Sequence, residues 1–282
     1  MRIKALEREL LSRLQPLGLE AQPVTRLIME HFTGRDALYV SFHPEDEVDP
    51  EAEAAALEAA AVVGQGMPVQ YVLREAWFYG RRFKVDERVL IPRPETEELV
   101  HWLLGDHSDA EQCRMADWCT GSGCIAVTVA VERPSWQCAA MDAFGPVLEL
   151  ARENGEALGA AVRWQQRDLL VDTPLPHEAV FYDLIVCNPP YVREGERLQV
   201  PDRVKLHEPA AALFVPDDDP LVFYRALAGW GRVALRDKGA IYLEINESLG
   251  MDTSELLQSQ GYEVELRRDM QGKERMIKAI RM

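Results

Sequence analysis

Hydrophobic positions repeat with two different periods along this chain. Up to residue 66 the period is helical. Leu6, Leu10, Leu11 and Leu14 recur three or four positions apart, as do Val24, Leu27, Ile28 and the pair His31-Phe32. Asp49-Pro50 followed by Glu51 and Glu53 predicts a helix start, with proline early and acids in the first turn. The alanine-rich stretch after it sustains the helix. Between residues 69 and 91 the period changes. Val69, Tyr71 and Leu73 alternate, then Trp77, Phe78 and Phe83, then Val89 and Ile91. With Tyr79-Gly80 between them, these runs predict a β-hairpin. Arg93-Pro94-Glu95-Thr96-Glu97-Glu98 then opens a helix running through Leu104.

From about residue 113 strand-like and helix-like segments alternate. Strands are predicted over 114–119, 137–142, 162–167, 182–187 and 240–246. Helices are predicted over 122–131, 145–158, 221–235 and 249–260. This order predicts an α/β fold, a mostly parallel sheet with helices on both faces. Two last strands, 262–267 and 275–280, lie too close together for a helical crossover, so the C-terminal edge should be antiparallel. The chain therefore divides near residue 85. Residues 1–85 form a small helical domain with a hairpin linker, and residues 86–282 form the α/β domain.

Composition narrows the classes. With 282 residues, 47% hydrophobic and 28% charged, the chain reads as a soluble globular protein of one large domain, or a large and a small one. The net charge of −16 disfavours a partner held by its phosphate backbone, since such binding rests on lysine and arginine. Residues 37–73 carry no Lys or Arg, while Glu45, Asp46, Glu47, Asp49, Glu51, Glu53 and Glu58 are acidic. That run reads either as a solvated face or as a docking surface for a basic protein. The first residues lack the apolar core of a signal peptide, and no apolar stretch is long enough to span a membrane. Cys113, Cys119, Cys124, Cys138 and Cys187 form no CxxC pair, and no His pairs with Cys at zinc spacing. Reduced thiols, a cytoplasmic location and no metal are the expectation.

Two segments carry candidate chemistry. Asn188-Pro189-Pro190-Tyr191 follows the apolar run 182–187, at the C-terminal end of a strand, where open α/β sheets place their ligands. Proline has no N–H, so the two prolines give a rigid loop that offers carbonyl acceptors and no competing donors. The Asn188 side-chain oxygen is another acceptor, and the Tyr191 ring is a flat face for stacking. This set suits a planar –NH2 group. The second segment, 117–126, joins the first core strand to its helix through Gly121-Ser122-Gly123, and Asp142 ends the next strand. Its glycines let a ligand approach the backbone, and Asp142 can accept from both hydroxyls of a ribose. Alone, this loop equally fits a dinucleotide site. A hydride-transfer enzyme, however, has no use for a donor-free Asn-Pro-Pro-Tyr loop, whereas a methyltransferase holding an amino group beside a sulfonium does. Asp117 could meet the ammonium of the methionyl tail of S-adenosylmethionine.

The core resembles the class I S-adenosylmethionine-dependent methyltransferases. The whole chain resembles the peptide chain release factor N5-glutamine methyltransferases. The strings that carry the likeness are residues 89–97, reading Val-Leu-Ile-Pro-Arg-Pro-Glu-Thr-Glu, the 117–126 loop, and Asn188-Pro189-Pro190-Tyr191, with Glu208-Pro209-Ala210-Ala211-Ala212-Leu213 in support. The resemblance implies a Rossmann-like methyltransferase sheet and S-adenosylmethionine as cofactor. It implies cofactor contacts along Asp117, Cys119, Thr120, Gly121, Ser122, Gly123, Asp142, Asp168, Leu169 and Asn188. It implies catalysis by Asn188, Pro189, Pro190 and Tyr191, with the glutamine of the Gly-Gly-Gln motif of a class I release factor as target. Asn188 Oδ1 and the Pro189 carbonyl would accept the two amide protons, and Tyr191 would pack on the amide plane. No strong general base appears in the motif, so the proton is left to solvent or the backbone. Alternative targets are a glutamine of a large-subunit ribosomal protein or an adenine N6 of nucleic acid. Cys119 departs from the glycine common in the family, and Leu169 stands where some members carry an aromatic residue against adenine.

Overall fold

The computed structural model describes residues 1–172 and 181–282. They form two compact units. One comprises Met1–Glu75 with Pro201–His207, the other Ala76–Val200 with Glu208–Met282.

The first unit is helical: α1 (Ile3–Arg13), α2 (Ala21–Thr33), α3 (Ala37–Phe42), α4 (Pro50–Gly64) and α5 (Val69–Leu73). Ile3, Leu6, Leu10, Leu14, Val24 and Ile28 are buried together with Ala56, Ala60 and Val63. The predicted three-and-four spacing is thus the core stripe of the bundle. Asp49 caps α4, its Oδ1 accepting from Glu51 and Ala52 N–H. The α5 segment departs from the expected strand. Val69, Tyr71 and Leu73 alternate in burial, but they lie on one short helical turn that starts after Pro68 and stops at Arg74, φ 59°. A helix this short, enclosed on several sides, gives the same pattern as a strand.

The second unit opens with the hairpin β1 (Glu75–Phe78) and β2 (Arg81–Lys84). Tyr79 and Gly80, φ 50° and 72°, are both left-handed, the backbone that two-residue hairpin loops need. The hairpin was expected with the first domain, yet it groups with the second. Phe78 and Phe83 are fully buried in one core cluster with Leu99, Leu103 and Val127, and Asn154 bonds both the N–H and the carbonyl of Lys84. Val89 and Ile91 lie beyond the hairpin, in an irregular connection to α6 (Pro94–Asp106) that begins with a turn at Asp86–Val89.

The sheet follows: β3 (Arg114–Trp118), α7 (Cys124–Glu132), β4 (Gln137–Asp142), α8 (Gly145–Ala157), β5 (Val162–Gln166), β6 (Tyr182–Cys187) and the short β7 (Val192–Arg193). The chain passes through α9 (Asp202–Lys205), which belongs to the first unit. It then continues with β8 (Phe214–Val215), α10 (Val222–Ala234), β9 (Leu235–Glu244), α11 (Gly250–Ser259), β10 (Tyr262–Arg268) and β11 (Glu274–Arg281). The strand order is β10-β11-β9-β6-β3-β4-β5. β9, β6, β3, β4 and β5 are parallel, and β11 runs antiparallel to both β9 and β10, as the short connection requires. Alternate residues of the central strands feed opposite cores. Met115, Leu184, Val186 and Tyr242 join one cluster, and Ala116, Ile185, Cys187 and Leu243 the other. Both faces are covered, so these strands read as continuous apolar runs. From β3 the chain steps outward to β4 and β5, then returns to place β6 on β3's other side. The switch point therefore lies between the ends of β3 and β6, where such sheets bind ligands.

Candidate active site

A cavity of about 280 Å³ opens at this switch point. Its lining draws on the loop after β3, the ends of β4 and β5, the loop after β6, and the two loops holding Arg93 and Pro209. Of the residues expected at the cofactor, Cys119, Thr120, Gly121, Ser122, Asp142, Asp168, Leu169 and Asn188 line it, and so does Pro190.

The loop after β3 is held from below and from the side. Thr120 Oγ1 donates to Asp117 Oδ2 at 2.6 Å, and Ala126 N–H donates to the same oxygen at 3.1 Å. Gly121 N–H donates to Asp142 Oδ2 at 3.0 Å, while Asp142 Oδ1 accepts from Phe144 N–H at 3.2 Å. Gly121 has φ +54° and open space where a Cβ would be. Gly123 has φ +80°, and a Cβ there would press on Ala151 and Trp164, at 3.1 and 3.2 Å. The two glycines thus differ: one leaves room on the ligand side, the other lets α7 pack closely. Cys119 also takes a left-handed backbone, φ 58°, without being glycine.

Asp117 corrects an expectation. It is completely buried beneath the loop and is not among the cavity-lining residues, so its carboxylate anchors the turn instead of facing a ligand's ammonium. Its Oδ1 has no hydrogen-bond partner among the described residues, and burial pushes its pKa up to about 7. Asp142 is also raised, chiefly by burial, with backbone N–H donors opposing the shift.

The loop after β6 is ordered by residues outside it. Asn188 Nδ2 donates to Thr96 Oγ1 at 3.0 Å, and Thr96 Oγ1 donates to Glu244 Oε2 at 2.6 Å. Tyr191 OH donates to Glu244 Oε1 at 2.8 Å. Asn246 Nδ2 holds the Tyr191 carbonyl at 3.1 Å. Tyr191 is partly buried against the core cluster containing Tyr224 and Ile245, and neither it nor Pro189 is among the lining residues. The stacking platform expected of Tyr191 is therefore a tether: its hydroxyl is committed to Glu244 and its ring to the core.

Sequence reasoning left Thr96, Glu244, Arg93 and Glu208 without a role. Glu208, its side chain 1% exposed, takes Arg93 Nη2 at 2.5 Å and the Ile91 N–H at 3.1 Å. Thr96 and Arg93 sit in the 89–97 string and Glu208 opens the Glu-Pro-Ala-Ala-Ala-Leu string, so the motif signal was present. The pairing, across more than a hundred residues, was not.

The open glycine turn, the acceptor Asp142 at the rim and the apolar Val147, Ile125 and Leu169 walls suit a nucleoside carrying a polar tail. With a switch-point cavity flanked by an Asn-Pro-Pro-Tyr loop whose two prolines carry no N–H, this fold and site define a methyltransferase that uses S-adenosylmethionine. The model of the methyltransferase small domain matches residues 98–212, and that of the PrmC N-terminal domain matches residues 8–73. A release factor glutamine methyltransferase of Bacteroides thetaiotaomicron is 37% identical over 99% of this chain and 99% of its own. One from Bacillus subtilis is 40% identical over 77% and 76% of the two chains. A solved methyltransferase from Pyrococcus furiosus shares the fold with a TM-score of 0.54, at 15% identity over 82% of this chain and 98% of that one. The chain belongs to the release factor glutamine methyltransferase family.

Proposed function

We propose that the cavity holds S-adenosylmethionine and that the Asn188–Tyr191 loop presents to it the glutamine side chain of a class I release factor's Gly-Gly-Gln motif, as the family membership implies. S-adenosylmethionine supplies a methyl group bonded to a sulfonium, ready for in-line displacement. Asp142 would accept the ribose hydroxyls, since its two carboxylate oxygens have acceptor capacity beyond the backbone N–H groups they take. Leu169, Val147 and Ile125 would give the base an apolar slot without aromatic stacking. An amide nitrogen is a poor nucleophile because its lone pair is delocalised. The protein's contribution is therefore position and stabilisation of charge growing on nitrogen. Asn188 Oδ1 and the Pro189 carbonyl would accept the two amide protons and aim the nitrogen at the cavity.

The observation that carries this reading is the meeting of two loops: the glycine loop after β3 and the Asn-Pro-Pro-Tyr loop after β6 line one cavity at the switch point. Labelled S-adenosylmethionine, offered with purified release factor, ribosomal proteins and DNA in parallel, tests it. Label should enter the release factor glutamine. Asn188→Ala should lose about 10²–10³ in turnover, far more than it loses in cofactor affinity. Near-wild-type turnover by that variant, or label in DNA instead, would overturn it.

A further inference from the structure

We infer that Thr96, backed by Glu244, is a positioning residue that fixes which end of the Asn188 amide faces the substrate. The inference deepens the reading above and rests on it. An asparagine amide has oxygen and –NH2 ends of nearly equal size, and a half-turn of the side chain exchanges them. One orientation offers the substrate's amide protons an acceptor. The other sets –NH2 against –NH2 and cannot bind it.

The order of protons decides between them. Thr96 Oγ1 carries one hydrogen and lies 2.6 Å from Glu244 Oε2 and 3.0 Å from Asn188 Nδ2. A carboxylate only accepts, so the Thr96 proton goes to Glu244. The hydroxyl then has only lone pairs left for Asn188, which must turn its –NH2 toward Thr96. Oδ1 is left free, and among the described residues it has no partner, while Asn188 lines the cavity. Glu244 is 1% exposed at the end of β9, and its other oxygen takes Tyr191 OH. One buried carboxylate thus holds the last residue of the loop directly and the first through Thr96.

The arrangement also carries its own off-state. A proton on Glu244 lets it donate to Thr96, which can then donate to Asn188 and draw Oδ1 inward. The groups facing Glu244 are Glu95 on α6, Cys124 on α7, Tyr191 on the loop, Tyr224 on α10 and Arg275 on β11. Burial raises the Glu244 pKa, and the bonds from Thr96 and Tyr191, with Arg275, hold it back. Turnover should therefore fall on the acid side.

The test uses the full chain with intact release factor. Thr96→Val keeps the shape and removes the hydroxyl. It should lower kcat roughly tenfold to a hundredfold, as expected for a lost positioned contact, with cofactor Kd and release-factor KM unchanged. Thr96→Ser should restore kcat. The acid limb of wild-type kcat should vanish in Glu244→Gln whatever its plateau rate. Wild-type kcat in Thr96→Val while Asn188→Ala is inactive would overturn the inference and leave the reading standing, whereas an active Asn188→Ala would overturn the reading itself. If Thr96→Val proves too unstable to assay, the Glu244→Gln profile decides: a persisting acid limb sinks the inference, and its loss supports it.

Discussion

Cys119 sits in a left-handed backbone at the first position of the glycine loop, a conformation that costs an L-residue about 1–2 kcal/mol. The turn out of β3 needs positive φ, the backbone that glycine favours, and here the fold tolerates a side chain there. Two neighbouring acids allow sharper statements. Asp142 both faces the cavity and holds the Gly121 and Phe144 N–H groups, so Asp142→Ala should weaken cofactor binding by about 1.5–3 kcal/mol, the scale of hydrogen bonds to a charged group. Isothermal calorimetry checks it, and unchanged affinity would place the ribose elsewhere. Asp117 is buried with one oxygen unpaired among the described residues, and its pKa is raised to about 7. A raised carboxyl favours the folded state while it is protonated. Its contribution is complete below the ordinary carboxylate range and is lost as pH climbs through 7. The ligand-free protein should therefore lose stability between roughly pH 4 and 8. Asp117→Asn should flatten that slope in thermal melts recorded across the range. A slope unchanged in the variant would mean the Asp117 proton is not the source.

At the scale of elements, the hairpin is the instructive case. Its strands were legible from alternation and its turn from Tyr79-Gly80, but its allegiance was not. Phe78 and Phe83 are buried among residues of α6 and α7, and no local pattern says which core a short ribbon will cover. The consequence is measurable. Phe83→Ala should cost about 3–5 kcal/mol, as for a fully buried aromatic, read from denaturant unfolding of the full chain. A fragment beginning at Ala76 should keep cofactor binding better than one beginning at Asp86, which strips both phenylalanines from the core. Equal behaviour of the two fragments would make the hairpin a mere linker. The helix at Val69–Leu73 failed as a predicted strand for a related reason: period alone cannot separate a strand from a single enclosed helical turn.

At the scale of the molecule, the acidic run of the first unit is partly spent internally. Glu45 pairs with Arg2, Asp46 accepts from Tyr39 OH, and Asp49 caps α4. Glu47, Glu51 and Glu58 remain exposed. If the unit grips the folded release factor through them, as rim charges do, they act mainly on association rate and are screened by salt. Replacing all three by Gln should lower kcat/KM for the intact factor at low salt and flatten its salt dependence, with cofactor Kd untouched. A peptide carrying the glutamine should be a poor substrate for both proteins. An unchanged salt dependence would assign this unit to stability rather than docking.

The sequence by itself determined the alternation of strands and helices, the antiparallel edge and the two loops that carry the chemistry. Each of these is local: periodicity, glycine and proline geometry, and the length of a connection. It also marked Asp142 and Asn188 as standing at or just after strand ends, and both line the cavity at the switch point. Tertiary structure alone decided what each polar atom faces. Asp117 went under its loop, Tyr191 turned its hydroxyl to a carboxylate from β9, and Thr96 came to stand between Asn188 and Glu244. The partners of Tyr191 and Thr96 lie about fifty to a hundred and fifty residues away, and such pairings leave no periodic trace in the chain. They exist only once two cores have closed on the sheet and every buried donor must find an acceptor.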